Sequence, residues 1–168
     1  MNTLYRVLIC LLFTLLSPLV AAQDLPTKFD SHRDAAKDMM TAQNFAKATG
    51  KRVLVDVGGE WCTWCRMLDR FIASQPQIRA LIDSQYVWVK VNYSAENKNT
   101  AVLSKWPKIR GYPYFLILDG AGRLLHGQGV QGLETETEKE TDENYDPVRV
   151  MAFLNRYATA ANVPAENH

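Results

Sequence analysis

Apolar side chains between residues 31 and 50 recur at the three- to four-residue spacing of an amphipathic helix. These positions are Ala35, Met39, Ala42 and Ala46. Ser31, with Asp34 three places on, offers polar side chains that can cap the start of a helix, and Gly50 is of the type that closes one. The pattern predicts a helix that ends at Gly50, preceded by a short extended lead-in within an N-terminal segment, residues 23–34.

Short runs rich in β-branched residues alternate with helical segments along the rest of the chain. The runs are KRVLVDV at 51–57, YVWVKVNY at 86–93, YFLILD at 114–119 and residues 124–130. Between them lie a helix that breaks at Pro76, the helical piece PQIRALID and a polar helix to about Lys105. A last helix begins at Asp146, where an N-cap residue precedes a proline. This order predicts one α/β domain over residues 35–161, a central mixed β-sheet flanked by helices.

One segment, residues 133–146, departs from this alternation because it contains seven acidic residues, one lysine and almost nothing apolar. Such a composition favours a solvated loop inserted before the last helix. A docking loop or a calcium loop is the alternative. The spacing lacks the oxygen-ligand pattern and central glycine of an EF-hand, which weakens the calcium interpretation.

The first 22 residues have the features of a cleavable secretory signal. Arg6 is the only charged side chain before Asp24, an apolar run follows it, and small residues end at Ala22. An uncleaved membrane anchor is the alternative, but the uninterrupted run is shorter than the roughly 20 residues that a span requires. We therefore expect residues 1–22 to be removed and the protein to be periplasmic or secreted, with residues 162–168 as a C-terminal tail.

Composition narrows the possible partners. The 168 residues carry 19 Lys and Arg, 18 Asp and Glu and a formal net charge of +1, which gives no reason to expect nucleic acid as a partner. The length suits one domain, and we expect a monomer. Cys10 lies in the predicted signal, so only Cys62 and Cys65 would remain in a compartment where disulfides persist.

The segment GEWCTWCRM places Cys62 and Cys65 three positions apart, which admits a metal site, a structural disulfide or a redox pair. Zinc requires four ligands, and the histidines are far apart in sequence, at positions 32, 126 and 168. A c-type haem requires histidine directly after the second cysteine, where Arg66 stands. Closing so small a loop stabilises a fold by only about 2 kcal/mol. We expect no metal and no cofactor.

The redox interpretation explains the spacing of the cysteines. At the start of a helix, the sulfur of Cys62 faces unpaired backbone N–H groups and the positive end of the helix dipole, which favour a thiolate. Cys65 lies one turn on, deeper and within reach. An exposed Cys62 can then attack a disulfide, and Cys65 can resolve the mixed disulfide.

Two ionisable residues interrupt apolar strands. Asp56 lies six residues before Cys62, and Lys90 interrupts YVWVKVNY. If the two strands are adjacent, the charges can pair and both be buried. A buried carboxylate tends to a raised pKa, which suits a base that deprotonates Cys65. The alternative is that one strand end is exposed and its charge faces water.

The segment VLVDVGGEWCTWC resembles the active-site segment of the thioredoxin family, with Asp56, Glu60, Trp61 and both cysteines in frame. KIRGYPYFLIL resembles the family's segment around its cis-proline, which implies that Pro113 lies beside the cysteines, and Lys90 matches the family's buried lysine. The resemblance covers roughly residues 35–132 plus the last helix. It is strongest to secreted single-domain members and to the C-terminal domain of the periplasmic thiol:disulfide interchange reductase.

The positions that differ from the family pattern lie around the cysteines and the proline, where a substrate is expected to bind. Thr63 and Trp64 stand between the cysteines where thioredoxin has Gly-Pro, Gly58 replaces a tryptophan, and Tyr112 replaces a smaller residue before the proline. Trp61, Trp64 and Tyr112 would form an aromatic rim that binds substrate beside Pro113; Trp64 could equally be packed against the helix. Because the dipeptide tunes thiolate stability, the direction of electron flow stays open.

The function implied is thiol–disulfide exchange on exported proteins, as a reductase or isomerase. The implied partners are exported proteins with a disulfide or dithiol, and a membrane or soluble thiol donor of electrons. Cys62 would be the nucleophile, Cys65 the resolving thiol, Asp56 the base and Lys90 its tuning partner. A disulfide-forming oxidant is one alternative. A binding module with idle cysteines, using the acidic loop and aromatic rim, is the other.

Overall fold

The computed structural model describes residues 25–135 and 144–159. Within these ranges helices and strands follow one another in the order that the sequence predicts, and a 3₁₀ turn, Val130–Gly132, follows the last strand. In chain order the elements are α1 (Ala35–Thr49), β1 (Arg52–Gly58), α2 (Thr63–Ser74), α3 (Pro76–Gln85), β2 (Tyr86–Asn92), α4 (Thr100–Leu103), β3 (Tyr114–Leu118), β4 (Leu124–Gly129) and α5 (Pro147–Arg156).

The four strands form one mixed sheet in the order β2-β1-β3-β4. Strand β1 pairs in parallel with β2 and antiparallel with β3, and β3 pairs antiparallel with β4. Both neighbours of β1 are strands, so its backbone is paired on each side. The mixed α/β sheet with flanking helices confirms the fold class expected from the sequence.

Alternation along β1 sends its side chains into two different cores. Val53, Val55 and Val57 pack with α1 on one face of the sheet. Leu54 lies on the opposite face, in the cluster that includes residues of α2, α3 and α5. Because side chains alternate along a strand, Asp56 shares the face of Leu54. That face carries the helix of the cysteines.

Two helix predictions need correction. The N-cap of α1 is Asp34, not Ser31: the carboxylate accepts the backbone N–H groups of Ala36 and Lys37, which are the donors that a helix leaves unpaired in its first turn. The predicted polar helix up to about Lys105 is a single turn, α4, which follows a left-handed Asn99. Gly50 closes α1 with a positive φ of 69°, as expected.

The acidic segment 133–146 is not a solvated loop at its ends. Leu133, Asn144 and Tyr145 are buried, and Glu134 bridges Tyr145 in antiparallel fashion. The Tyr145 hydroxyl donates to the Trp64 carbonyl at 3.1 Å. Composition alone did not predict that the ends of the segment are buried, because a single aromatic ring can fix a segment that is otherwise polar. Residues 136–143, the middle of the segment, lie outside the described residues.

Three further predictions concern residues that are not described. The predicted signal at 1–22 and the tail at 162–168 lie outside the described ranges, as does the end of the predicted domain at residue 161. Within residues 25–135 and 144–159, no helix combines the length and apolar character needed to span a bilayer.

Substitution of Tyr145 tests whether the ends of the acidic segment contribute to the core. Replacing Tyr145 by Ala should lower the free energy of unfolding by about 3–5 kcal/mol, because it removes a fully buried aromatic side chain. Tyr145→Phe keeps the ring and loses only one hydrogen bond, so its cost should be about 1 kcal/mol. Urea unfolding of both variants provides the measurement. Equal stability of Tyr145→Ala and the parent chain would mean that Tyr145 does not contribute to the core.

Candidate functional site

The two cysteines lie at the start of helix α2, just after the turn that connects it to strand β1. The turn after β1 is closed by the Cys62 N–H, which donates to the Gly59 carbonyl at 3.0 Å. Cys62 is the N-cap of α2, and its sulfur accepts the Cys65 N–H at 3.1 Å. The two sulfurs form a disulfide with Cα atoms 5.2 Å apart. The sequence therefore placed the pair correctly at the start of a helix.

The burial of the two cysteines differs from the expectation of an exposed Cys62. Cys62 is 4% exposed and Cys65 is 1% exposed, so in the disulfide form both are covered. Phe29 from the N-terminal lead-in forms one cluster with them, and the rings of Trp64 and Tyr112 pack against it. The position of Cys62 at a helix terminus does not expose it, because neighbouring aromatic rings occupy the surrounding space.

Asp56 and Lys90 form a buried ion pair on the same face of the sheet. The parallel register sets Asp56 opposite Lys90, and the Lys90 Nζ lies 2.7 Å from the Asp56 Oδ2. Both side chains are nearly inaccessible, so neither faces water from an exposed strand end. Lys90 Nζ also lies 2.6 Å from the Oδ1 of Asp69 on α2, whose side chain is 34% exposed. The ammonium is therefore held between a buried and a half-buried carboxylate.

Burial and charge act in opposite directions on this pair. Burial raises the pKa of Asp56 and outweighs the attraction of Lys90, which lowers it. Burial would lower the pKa of Lys90, but the two carboxylates together raise that pKa above its usual value. Among the described residues, the Asp56 Oδ1 has no hydrogen-bond partner. The site thus combines a lysine whose pKa is raised by two carboxylates with a carboxyl group whose pKa is raised by burial.

The predicted aromatic rim divides into two parts. Trp61 is 55% exposed, donates from Nε1 to the Tyr93 carbonyl at 2.7 Å and meets Tyr112 edge-on with ring centroids 5.6 Å apart. Tyr112 stacks on Tyr93 at 4.9 Å, and burial raises the pKa of Tyr112 to about 12, so its phenol is neutral. The Trp64 ring instead meets Tyr145 edge-on at 6.0 Å. Trp64 therefore contacts both the cysteine cluster and Tyr145 at the end of the acidic segment.

Pro113 lies on the side of the site that the sheet forms. The Tyr112–Pro113 peptide bond is cis, as the resemblance implies. Pro113 is buried and directly precedes β3, the strand that pairs with β1. Tyr112 and the cysteines therefore come together from two neighbouring strands.

Sequence reasoning missed three residues of the site: Phe29, Asp69 and Tyr93. Asp69 lies four residues after Cys65 on α2, a spacing that places both on one helix face and could have identified it. Tyr93 directly follows β2, and its backbone N–H donates to the Gly58 carbonyl at 2.6 Å. Phe29 lies in a segment without periodicity, so no sequence signal marks it.

A metal site finds no support in the described part of the chain. Within residues 25–135 and 144–159, no group of three or more histidine, cysteine, aspartate or glutamate side chains is placed to hold an ion.

Comparison with known proteins identifies the family. A family model described as thioredoxin-like matches residues 23–120, which is more than half of the chain. The chain belongs to the thioredoxin-like family. The matched range contains the lead-in, the cysteines, the ion pair and the cis-proline.

Similar proteins agree with this assignment. Over 82 residues the chain is 32% identical to the thiol:disulfide interchange protein DsbD of Escherichia coli K12, a match that covers 48% of this chain and 14% of that protein. The chain thus corresponds to a small part of this relative. The solved structure of a disulphide isomerase from Xylella fastidiosa Temecula1 superposes with a TM-score of 0.62 and 25% identity, covering 80% of this chain and 98% of that one. Together with the Cys62–Cys65 disulfide, these matches support a disulfide oxidoreductase of the thioredoxin-like type.

The ion pair gives a test through pH-dependent stability. Since the folded-state pKa of Asp56 is raised, ionising Asp56 costs stability as the pH rises through that pKa, and the cost disappears on acidification towards the unfolded value of 3.8. Asp56→Asn should therefore be more stable than the parent chain at pH 7, by about 1–3 kcal/mol, with Lys90 still paired to Asp69. This advantage should shrink as the pH falls towards 4.

Lys90→Met provides the matched control. It leaves Asp56 buried without its cation, so it should lose about 3–5 kcal/mol at pH 7. Urea unfolding of the three proteins between pH 4 and 8 gives both results. An Asp56→Asn protein less stable than the parent at every pH would show that the ion pair stabilises the fold as a whole.

Proposed function

We propose that the chain exchanges disulfides with exported proteins and acts as a reductase or isomerase. The observation that carries this proposal is the Cys62–Cys65 disulfide at the N-terminus of α2, the helix that packs on the face of the sheet where the buried Asp56 lies. A pair that served only as a structural link would gain little from so short a loop.

The first step is attack on a substrate disulfide. In the dithiol form, the Cys62 thiolate attacks one substrate sulfur, a Cys62–substrate disulfide forms, and the other substrate sulfur leaves as a thiolate that takes a proton. The N-terminus of α2 favours the Cys62 thiolate, because backbone N–H groups and the positive end of the helix dipole face it. This assigns the nucleophile to the N-cap residue.

The second step is resolution by Cys65. The Cys65 thiolate attacks the Cys62 sulfur, the Cys62–Cys65 bond forms, the Cys62–substrate bond breaks, and the second substrate sulfur leaves as a thiolate that takes a proton. Each complete cycle moves two electrons and one pair of protons to the substrate. Asp56 is the base that we assign to the Cys65 proton: Lys90 donates to its Oδ2, and its Oδ1 accepts no hydrogen bond within normal geometry among the described residues. Lys90 would tune the pKa of Asp56, because the lysine keeps its positive charge next to the carboxylate.

The substrate would approach over Trp61 and Tyr112. Trp61 is the most exposed aromatic ring next to the cysteines, and Tyr112 lies against it directly before Pro113. Exposed aromatic rings beside a peptide backbone favour an extended protein segment as substrate. Trp64, packed against Tyr145, would act indirectly by supporting α2.

The partners follow from the electron balance. After reducing a substrate the pair returns to the disulfide, so each turnover requires a two-electron thiol donor, membrane-bound or soluble. The apolar leader pattern of residues 1–22 supports a periplasmic or secreted location, where substrate disulfides persist. The equilibrium potential of the pair against a glutathione buffer measures the direction of flow: a strongly reducing value supports a reductase, and a value well above that of glutathione would contradict it.

A trapping experiment tests the assignment of the two thiols. In cells that export the chain, Cys65→Ser should accumulate mixed disulfides with exported proteins, because attack occurs and resolution does not. Cys62→Ser is the matched control and should trap almost none. Diagonal gels of both variants provide the measurement. Equal trapping by the two would contradict the roles, and no trapping by either would favour a binding module with idle cysteines.

Asp56→Asn tests the proposed base. The variant keeps the shape of the side chain and removes the proton acceptor, so resolution should slow by about 10²-fold, the usual effect of a lost general base. The loss should be greatest below neutral pH, where little Cys65 is ionised without help, and the attack by Cys62 should change much less. Stopped-flow tryptophan fluorescence separates the two steps. Resolution at the parent rate from pH 5 to 8 would leave Asp56 only a structural role.

A further inference from the structure

Phe29 lies against the redox pair although it comes from the N-terminal lead-in, thirty-odd residues before the cysteines. Its side chain is 4% exposed, as little as that of Cys62, and it forms one buried cluster with both cysteines. No helix or strand contains it. The position of Phe29 is therefore set by side-chain packing at the site and not by regular secondary structure.

The space that Phe29 occupies exists because residue 58 is a glycine. A Cβ atom on Gly58 would lie 2.5 Å from the Cys65 sulfur and 2.9 Å from the Phe29 Cζ. Neither approach is possible for a real side chain. The edge of the Phe29 ring and the Cys65 sulfur thus lie close to each other in front of the Gly58 backbone. The ring fills space there that a side chain on residue 58 could not occupy without a clash.

Phe29 also separates the interior of the site from the surface. Lys90 Nζ lies 4.3 Å from the centroid of the Phe29 ring, within the range of a cation–π contact. On its outer side Phe29 helps to line a surface cavity together with Lys28, Glu60, Arg66 and Asp69. The ring therefore borders this cavity and also contacts the cysteine cluster and Lys90.

The segment that carries Phe29 is held at its two ends. Leu25 packs against the core on the α1 face of the sheet, and the Asn97 side-chain amide donates to the Ser31 carbonyl at 2.9 Å. Asp34 then caps α1. These anchors hold the lead-in across the site, so Phe29 can be changed while its neighbours keep the path of the segment.

We propose that Phe29 is a positioning residue of the redox site, whose ring closes the space left by Gly58 and keeps Cys65 out of reach of outside thiols. The purpose of this shield rests on the proposed function. Cys65 is needed only for the intramolecular step, and a small thiol that reached it would divert the pair into dead-end mixed disulfides. The cover restricts exchange with outside molecules to Cys62.

Alkylation of the reduced full chain tests the shield directly. The protein is reduced, exposed to iodoacetamide for increasing times, and each cysteine-containing peptide is quantified by mass spectrometry. In Phe29→Ala the Cys65 rate should rise on the order of tenfold, because its reaction no longer requires the cover to open, while the Cys62 rate changes by less than about threefold. Phe29→Leu, which keeps an apolar side chain, should give an intermediate Cys65 rate.

Phe45→Ala is the matched control. It removes a half-buried phenylalanine from α1, on the opposite face of the sheet, and should lower the melting temperature, but Phe45 lies outside the cysteine cluster and the lead-in, so the Cys65 rate should stay at the parent value. An unchanged Cys65 rate in Phe29→Ala, or an equal rise in Phe45→Ala, would overturn the proposal. If Phe29→Ala does not fold, a parent-like Cys65 rate in Phe29→Leu would do the same.

The failure of this inference can be distinguished from failure of the proposed function. Alkylation requires no turnover, so the shield can be measured even in a protein that does not exchange disulfides. Insulin reduction by the parent chain tests the function by itself. A chain that reduces insulin but shows no effect of Phe29 on Cys65 would retain the function and lose the shield.

Discussion

The buried ammonium of Lys90, which pairs with Asp56 within the sheet and with Asp69 on α2, links the sheet to the helix of the cysteines. Two charges can be taken out of water only if they meet, and here the parallel register of β1 and β2 sets them opposite each other. A slip of β1 by one residue would turn Asp56 into the valine-rich face and leave Lys90 without this partner. Lys90 also reaches Asp69 on α2, so the same ammonium fixes the helix to the sheet.

The asymmetry between the two cysteines does not come from exposure. In the disulfide form both are covered, and the covering rings come from three separate parts of the chain: the lead-in, α2 and the segment before β3. What distinguishes Cys62 is its place as N-cap, with its sulfur accepting a backbone N–H. What distinguishes Cys65 is its place beside Gly58, where the Phe29 ring fills the space next to the sulfur. One cysteine has a favourable electrostatic position, and the other has a closed surrounding.

The sequence predicted those parts of the fold whose pattern is local. The β-branched runs gave the strands, the ion pair followed from one acid and one base in otherwise apolar strands, and the CxxC spacing gave the helix start. Phe29, Asp69 and Tyr145 could not be recognised in the same way. An isolated aromatic residue in a non-periodic segment, a polar residue on a helix, and a tyrosine in an acidic run each have an ordinary solvent-facing explanation. Their roles depend on contacts between distant segments, which no local pattern records.

The charges of the ion pair affect the proposed transfer of a proton from Cys65 to Asp56. Lys90 Nζ contacts two carboxyl groups, Asp56 and Asp69. A new thiolate on Cys65 would add a second negative charge to the buried face that already holds the Asp56 carboxylate, which is unfavourable away from water. If the proton passes from Cys65 to Asp56, the total charge stays the same and only its position changes. A carboxyl group whose pKa is raised by burial is suited to accept that proton. The shield of Phe29 then has an electrostatic consequence as well, because by excluding water it preserves the burial on which that raised pKa depends.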